Sequence, residues 1–168
     1  MKSLDRRTLR VFFLATVAGA ALHFLYTLLP NLATAFLAPV NESLWEHGKL
    51  IFWPGLAALL LERGESERRT ERCACLLLAM AGMLAIGWVY HGLLHGSSLM
   101  FDIILYVAMM AVAFLLPARL SLGKGWRLPL LVATALLGTA ILLFTLLPPN
   151  CALFSDPGLA DVWERLPC

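Results

Sequence analysis

The chain reads as an all-α, polytopic membrane helical bundle of five transmembrane helices, with its N-terminus inside and its C-terminus outside. Three observations predict this. Of 168 residues, 60% are hydrophobic and only 14% charged, far from the balance of a soluble domain. Five stretches approach the roughly 20 predominantly apolar residues a spanning helix needs, at 11–29, 43–61, 73–95, 99–116 and 128–147. The 13 Lys and Arg residues also alternate between loops. Lys2, Arg6, Arg7 and Arg10 precede the first span, Arg63, Arg68, Arg69 and Arg72 separate the second from the third, and Arg119, Lys124 and Arg127 separate the fourth from the fifth. Only Lys49 and Arg165 fall on the other side, and cytoplasmic loops are the ones that carry excess positive charge. The net charge of +2 is therefore a record of topology and gives no reason to expect a nucleic-acid partner.

The elements follow in order. The first apolar run, behind its basic leader and ahead of Ala33-Thr34-Ala35, has some features of a secretory signal. It exceeds the usual signal core and carries His23 and Tyr26, which suit a retained helix better. Thr16, Gly19, His23, Tyr26 and Thr27 lie on one arc of it, with Gly19 permitting close helix approach. The apolar loop 30–41 is too short to span and is expected to lie in the interface or to dip back as a lid. Pro54 should kink the second helix. The loop 62–72 alternates Glu and Arg and reads as a solvated turn. Cys73 and Cys75, at the cytoplasmic start of the third helix, are expected to be reduced packing residues.

Residues 1–147 form the five-helix transmembrane domain on this reading, and 148–168 an extracytoplasmic tail. Pro148-Pro149-Asn150 and Asp156-Pro157-Gly158 are turn-forming, so the tail is expected to fold back as a cap. A disulfide between Cys151 and Cys168 is one option if the compartment is oxidising. No soluble catalytic domain fits in what remains, so any site lies within or at the edge of the bundle.

The topology puts every histidine in the outer half of the membrane. His23 lies about two thirds of the way along the first helix, His47 starts the second, and His91 and His95 close the third. Asp102 sits one turn inside the fourth, on the face of Tyr106 and Met109. Helical phase at about 100° per residue groups Glu42, Ser43, Glu46 and His47 on one polar face of the second helix. His91 and His95 are spaced i,i+4, which lets two imidazoles meet one metal ion from a single helix. Ionisable groups inside a membrane are costly and mark sites by default. The competing reading is an interhelical polar network, with Glu42 and Lys49 as interfacial residues and Lys49 snorkelling to water or pairing with Glu46 at i,i+3.

Residues 41–54, Asn-Glu-Ser-Leu-Trp-Glu-His-Gly-Lys-Leu-Ile-Phe-Trp-Pro, resemble the hallmark segment of a family of small bacterial membrane proteins of unknown function, Asn-Glu-Ser-x-Trp-Glu-His-x-Lys-Leu-x-Phe-x-Pro. The tail, with Pro148-Pro149 and then Leu153-Phe154-Ser155-Asp156-Pro157, is similar to that family's tail, although Ala152 replaces a proline. The resemblance implies a multi-helix fold in a bacterial cytoplasmic membrane and supplies no activity. A looser likeness, to the membrane hydrolases that include alkaline ceramidases, lies only in the mixture of His, Asp and Ser within a bundle.

The functional expectation is a metal-dependent hydrolase acting on a membrane lipid or another amphiphile. Zinc in catalytic sites takes three protein ligands and leaves one position for water. His91 and His95 would supply two, and His23 or His47 the third. Glu46 or Asp102 would act as base or orient an imidazole, with Ser43 beside them. The alternatives are a transporter or proton-handling protein using the same groups, a b-type haem protein with His23 and His91 or His95 as axial ligands, and a structural membrane subunit.

Overall fold

The computed structural model describes residues 5–61 and 68–156. Arg165, Cys168 and residues 62–67 of the expected 62–72 loop, Arg63 among them, lie outside these. The described residues form an all-α bundle without strands, in the order α1 (Arg6–Leu28), α2 (Leu32–Leu37), α3 (Leu44–His47), α4 (Lys49–Leu61), α5 (Arg69–Gly87), α6 (Leu99–Leu115) and α7 (Arg127–Leu146). A π-helical turn, Trp88–Leu93, extends α5, and short 3-10 turns follow α6 (Leu116–Ala118), precede α7 (Lys124–Trp126) and occupy Ala152–Phe154.

Four helical stretches among the described residues are long and apolar enough to cross a membrane: Arg6–Leu28, Arg69–Leu93, Leu99–Ala118 and Lys124–Leu146. The fifth expected span, at 43–61, is not one continuous helix but runs as α3 and α4. There Ser43 caps a single helical turn, its hydroxyl accepting from the Glu46 amide at 3.3 Å. The chain then restarts as α4 after Gly48. The 13 described residues of α4 rise about 20 Å at 1.5 Å each, against roughly 30 Å of hydrocarbon, and α3 adds one turn before them. This helix is shielded by protein: it packs on α1, α5 and α6, and Leu50, Ile51, Phe52, Pro54 and Leu59 are buried. A helix sheathed by others need not match the bilayer in length, because its backbone meets protein instead of lipid.

The core lies where α4, α5, α6 and α7 meet, built from Ile51, Phe52, Leu76, Ala79, Met80, Met83, Leu105, Met110, Ala113 and Ile141. The outward faces carry exposed Phe13, Leu14, Phe24, Leu128 and Leu136, as expected where lipid is the solvent. Gly19 serves the close approach foreseen for it. A Cβ there would collide with the Tyr106 hydroxyl of α6 and the Leu50 carbonyl of α4, so only glycine lets α1 settle this near.

Basic segments gather at one end of the bundle. Arg7 lies within charge range of Arg72, and Glu71 accepts from the Leu122 amide at 2.8 Å, drawing the start of α5 to the α6–α7 connection. At the opposite end the tail folds back as expected: Phe154 packs on Trp45 and Phe144 with ring centroids 4.9 and 5.4 Å away. Cys151 is disulfide-bonded, and its expected partner, Cys168, lies outside the described residues. Cys73 and Cys75 are free and buried, as expected for packing residues.

Candidate metal centre

The non-basic end carries the polar cluster, which begins with α3. Because this helix starts at Leu44, Glu42 is not on it. The common polar face expected for 42–47 is therefore replaced by two separate environments. His47 points towards Glu42, while Glu46 turns inward.

On the His47 side, the imidazole Nδ1 lies 2.9 Å from the Ser43 carbonyl. A carbonyl only accepts, so Nδ1 carries a proton, and Nε2 can bind a metal ion from the neutral ring or donate to a carboxylate from the doubly protonated one. That nitrogen, Nε2, stands 3.3 Å from Glu42 Oε2, and His23 Nε2 lies 4.0 Å from Glu42 Oε1. The two imidazole rings are 5.2 Å apart, centroid to centroid. His23 Nδ1 is buried without a hydrogen-bond partner among the described residues. The hydrogen bond from His47, opposed by partial burial, holds the Glu42 carboxyl below its ordinary value.

His23, Glu42 and His47 can each point one ligand atom so that all lie within 4.8 Å of one another. They are the one set of three His, Cys, Asp or Glu residues among the described residues placed to share an ion. Tetrahedral zinc with ligands at about 2.0–2.1 Å requires ligand atoms about 3.3 Å apart. His47 Nε2 already stands at this value from Glu42 Oε2, while His23 Nε2 lies 4.0 Å from the carboxylate's other oxygen, so the three ligand atoms, within 4.8 Å of one another, would have to draw together around an ion. A His47 ring whose second nitrogen donates to a backbone carbonyl is oriented as metal-bound histidines usually are.

The remaining expected site residues are distributed differently. His91 is buried, with Nδ1 2.8 Å from the Gly96 carbonyl and Nε2 2.8 Å from Asp102 Oδ1. The expected sharing of a face by His91 and His95 fails for a local reason. The chain widens into a π-helical turn and ends there, so His95 lies beyond the helix at φ 52°, with its side chain exposed. The i,i+4 rule holds only inside a continuing α-helix. Asp102 lies within charge range of His47, so the His91–Asp102 pair is at the same end of the bundle as the His23–Glu42–His47 set. Ser43 is fully buried and its hydroxyl faces the α3 amides, where it serves as a helix cap. Glu46 accepts from Lys49 Nζ at 2.6 Å, the i,i+3 pairing anticipated, but Lys49 is fully buried and does not snorkel.

The chain belongs to DUF6512, a family of unknown function. The family model matches residues 4–160, a span that includes every group of the cluster. No characterised protein and no solved structure matches the chain. For this DUF6512 protein the chemistry must therefore be argued from the side chains. The residue missing from the expected ligand set is Glu42. The available signal was its place: two residues before the first turn of a helix, at the depth of His47, in a loop otherwise apolar.

Proposed function

We propose that this DUF6512 protein is an integral protein of a bacterial cytoplasmic membrane that holds zinc at its outer face and uses it to hydrolyse a lipid or similar amphiphile. The observation that carries the reading is the convergence of His23, Glu42 and His47. Two imidazoles and one carboxylate form a donor set characteristic of hydrolytic zinc, with a fourth position left for water. Zinc bound there would lower the pKa of that water and polarise a substrate carbonyl or phosphoryl oxygen. Among the described residues Asp102 is suited to take up a proton, since it lies within charge range of His47 and is itself held by His91. Glu46 is less suited to that role because Lys49 and the Val40 amide already occupy its carboxylate.

An amphiphilic substrate is favoured by the surroundings. Phe24 beside His23 and Ile103 beside Asp102 are exposed apolar side chains, so the cluster opens beside the lipid-facing surface. The outer location follows from the basic segments at the opposite end. The same histidines and carboxylates could relay protons, and the close contact of His91 with Asp102 is the feature that favours this second reading.

The test is metal content by mass spectrometry of the detergent-purified protein after zinc loading and dialysis, followed by turnover of a panel of ester, amide and phosphate amphiphiles. About one zinc per chain is expected, with loss of both zinc and turnover in His47→Ala. A wild-type protein that retains no zinc would overturn the metal reading, and one that retains zinc but turns over nothing would remove the hydrolase.

A further inference from the structure

Glu46 and Lys49 are the most deeply buried charges in the described chain, 3% and 0% exposed, and neither touches the metal position. A buried ion pair is a poor source of stability, since well-packed apolar residues of similar size do as well or better. Its purpose is better sought in what it binds. Lys49 Nζ donates to the Ala35 carbonyl at 2.7 Å, to the Ala38 carbonyl at 3.3 Å and to Glu46 Oε2 at 2.6 Å, which uses all three ammonium hydrogens. The same Glu46 oxygen accepts the Val40 amide at 2.9 Å. One ion pair therefore grips three backbone groups of the segment that follows α1.

Glu42 stands two residues beyond the last of these grips. On its other side the Ser43 amide donates to Asn41 Oδ1 at 3.0 Å, and Ser43 caps α3 through the Glu46 amide. The exposed carboxylate of Glu42, on a loop with no helix of its own, is thus bracketed by backbone contacts that trace back to Glu46. We propose that Glu46 and Lys49 are positioning residues: they set the register of the 35–43 segment against α3 so that Glu42 meets His23 and His47. The proposal rests on the metal reading for its chemical consequence. It explains why a charge pair is used, because apolar side chains of the same volume cannot hydrogen-bond to loop carbonyls and amides.

The test compares wild type with the double variant Glu46→Met, Lys49→Met in the full-length protein in detergent. This change removes both charges together and leaves no unpaired one. Zinc affinity is measured by competition with a chromogenic chelator, and backbone hydrogen exchange is followed over 35–43. The double variant should remain folded, exchange faster in that segment and bind zinc about 10–100-fold more weakly, the usual effect of removing a group that orients a ligand. Ile141→Val, in the core, serves as the control and should leave zinc affinity unchanged. Equal zinc affinity in the double variant, or an equal loss in the Ile141 control, overturns the proposal. If the wild type binds no zinc, the metal reading falls by itself and exchange decides: unchanged protection over 35–43 overturns the positioning role, and faster exchange upholds it. Should the double Met variant not fold, Glu46→Gln with Lys49→Met still removes the ties to Ala35 and Ala38, and unaltered exchange and affinity there count equally against it.

Discussion

His47 and His91 are bonded in the same pattern, yet only one of them belongs to a potential metal centre. Each has Nδ1 against a backbone carbonyl and Nε2 against a carboxylate. The differences are the fit and the third partner. His91 and Asp102 are in close contact at 2.8 Å, with the imidazole only 8% exposed. His47 and Glu42 stand apart at 3.3 Å, more open to solvent, and His23 approaches the same carboxylate from α1. A third donor converts a histidine–carboxylate contact into a chelate, and that donor is present because Gly19 allows α1 to lie against α4 and α6. Coordination capacity here is decided by helix packing more than by the pair itself.

The strongest way to break this comparison is to remove donors. His23→Ala and His47→Ala should each abolish zinc retention, an effect on the order of 100-fold or more in affinity, as loss of a direct ligand exceeds the 10–100-fold typical of an outer group. His91→Ala should leave zinc in place. If instead His91→Ala empties the protein of metal and His23→Ala does not, the roles of the two pairs are reversed.

The second prediction concerns packing. Gly19→Ala places a methyl into the Tyr106 hydroxyl and the Leu50 carbonyl. One partner is backbone and cannot swing aside, so α1 must shift, at about 1–3 kcal/mol for an overpacked contact. Zinc affinity should fall together with thermal stability in this variant. A Gly19→Ala protein with lower stability but unaltered zinc affinity would show that His23 is not needed as the third donor.

Much of this arrangement could be read from the sequence. Hydropathy located the four long crossings, and charge distribution placed the histidines and Asp102 at one end, because both depend on composition averaged over many residues. What was not legible depends on single backbone choices. The start of α3 at Leu44 leaves Glu42 off the helix that carries Glu46 and His47, and the π-helical turn carries His95 off the face of His91. The segment leading to Glu42 is tied through Ala35, Ala38 and Val40 to Lys49 and Glu46, a long-range register that no local periodicity encodes. The i,i+3 pairing of Glu46 with Lys49 was legible, but its burial was not, since the covering segment is too short to look like an element.

A third prediction sharpens the comparison from the other side. His91→Ala leaves the Gly96 carbonyl and Asp102 without their partner, which should cost about 1–3 kcal/mol for unsatisfied groups. The loss should appear as a lower melting temperature in detergent with metal content preserved. No change in melting temperature would mean that water or another group replaces the imidazole, and that the pair does not serve the fold.

The smallest effect is expected from acid acting on Glu42 in the zinc-free protein. The His47 hydrogen bond holds this carboxyl below its ordinary value of 4.5. In the folded state the proton is thus bound less readily than in the unfolded chain, and stability attributable to the carboxylate is complete above about pH 4.5 and fades as pH falls through the lower folded value. Its side chain is largely exposed, 60%, so solvent screens the contribution and the effect should be slight. Thermal unfolding of wild type and Glu42→Gln from pH 6 to pH 3 measures it as a difference between two curves. That difference should be present near neutrality and close as the solution becomes acid, while a His91→Ala difference measured in parallel need not follow it. A Glu42→Gln difference that stays constant down to pH 3 would mean that the carboxylate charge is not what joins this loop to His47, and the resemblance between the two histidine pairs would then be one of geometry alone.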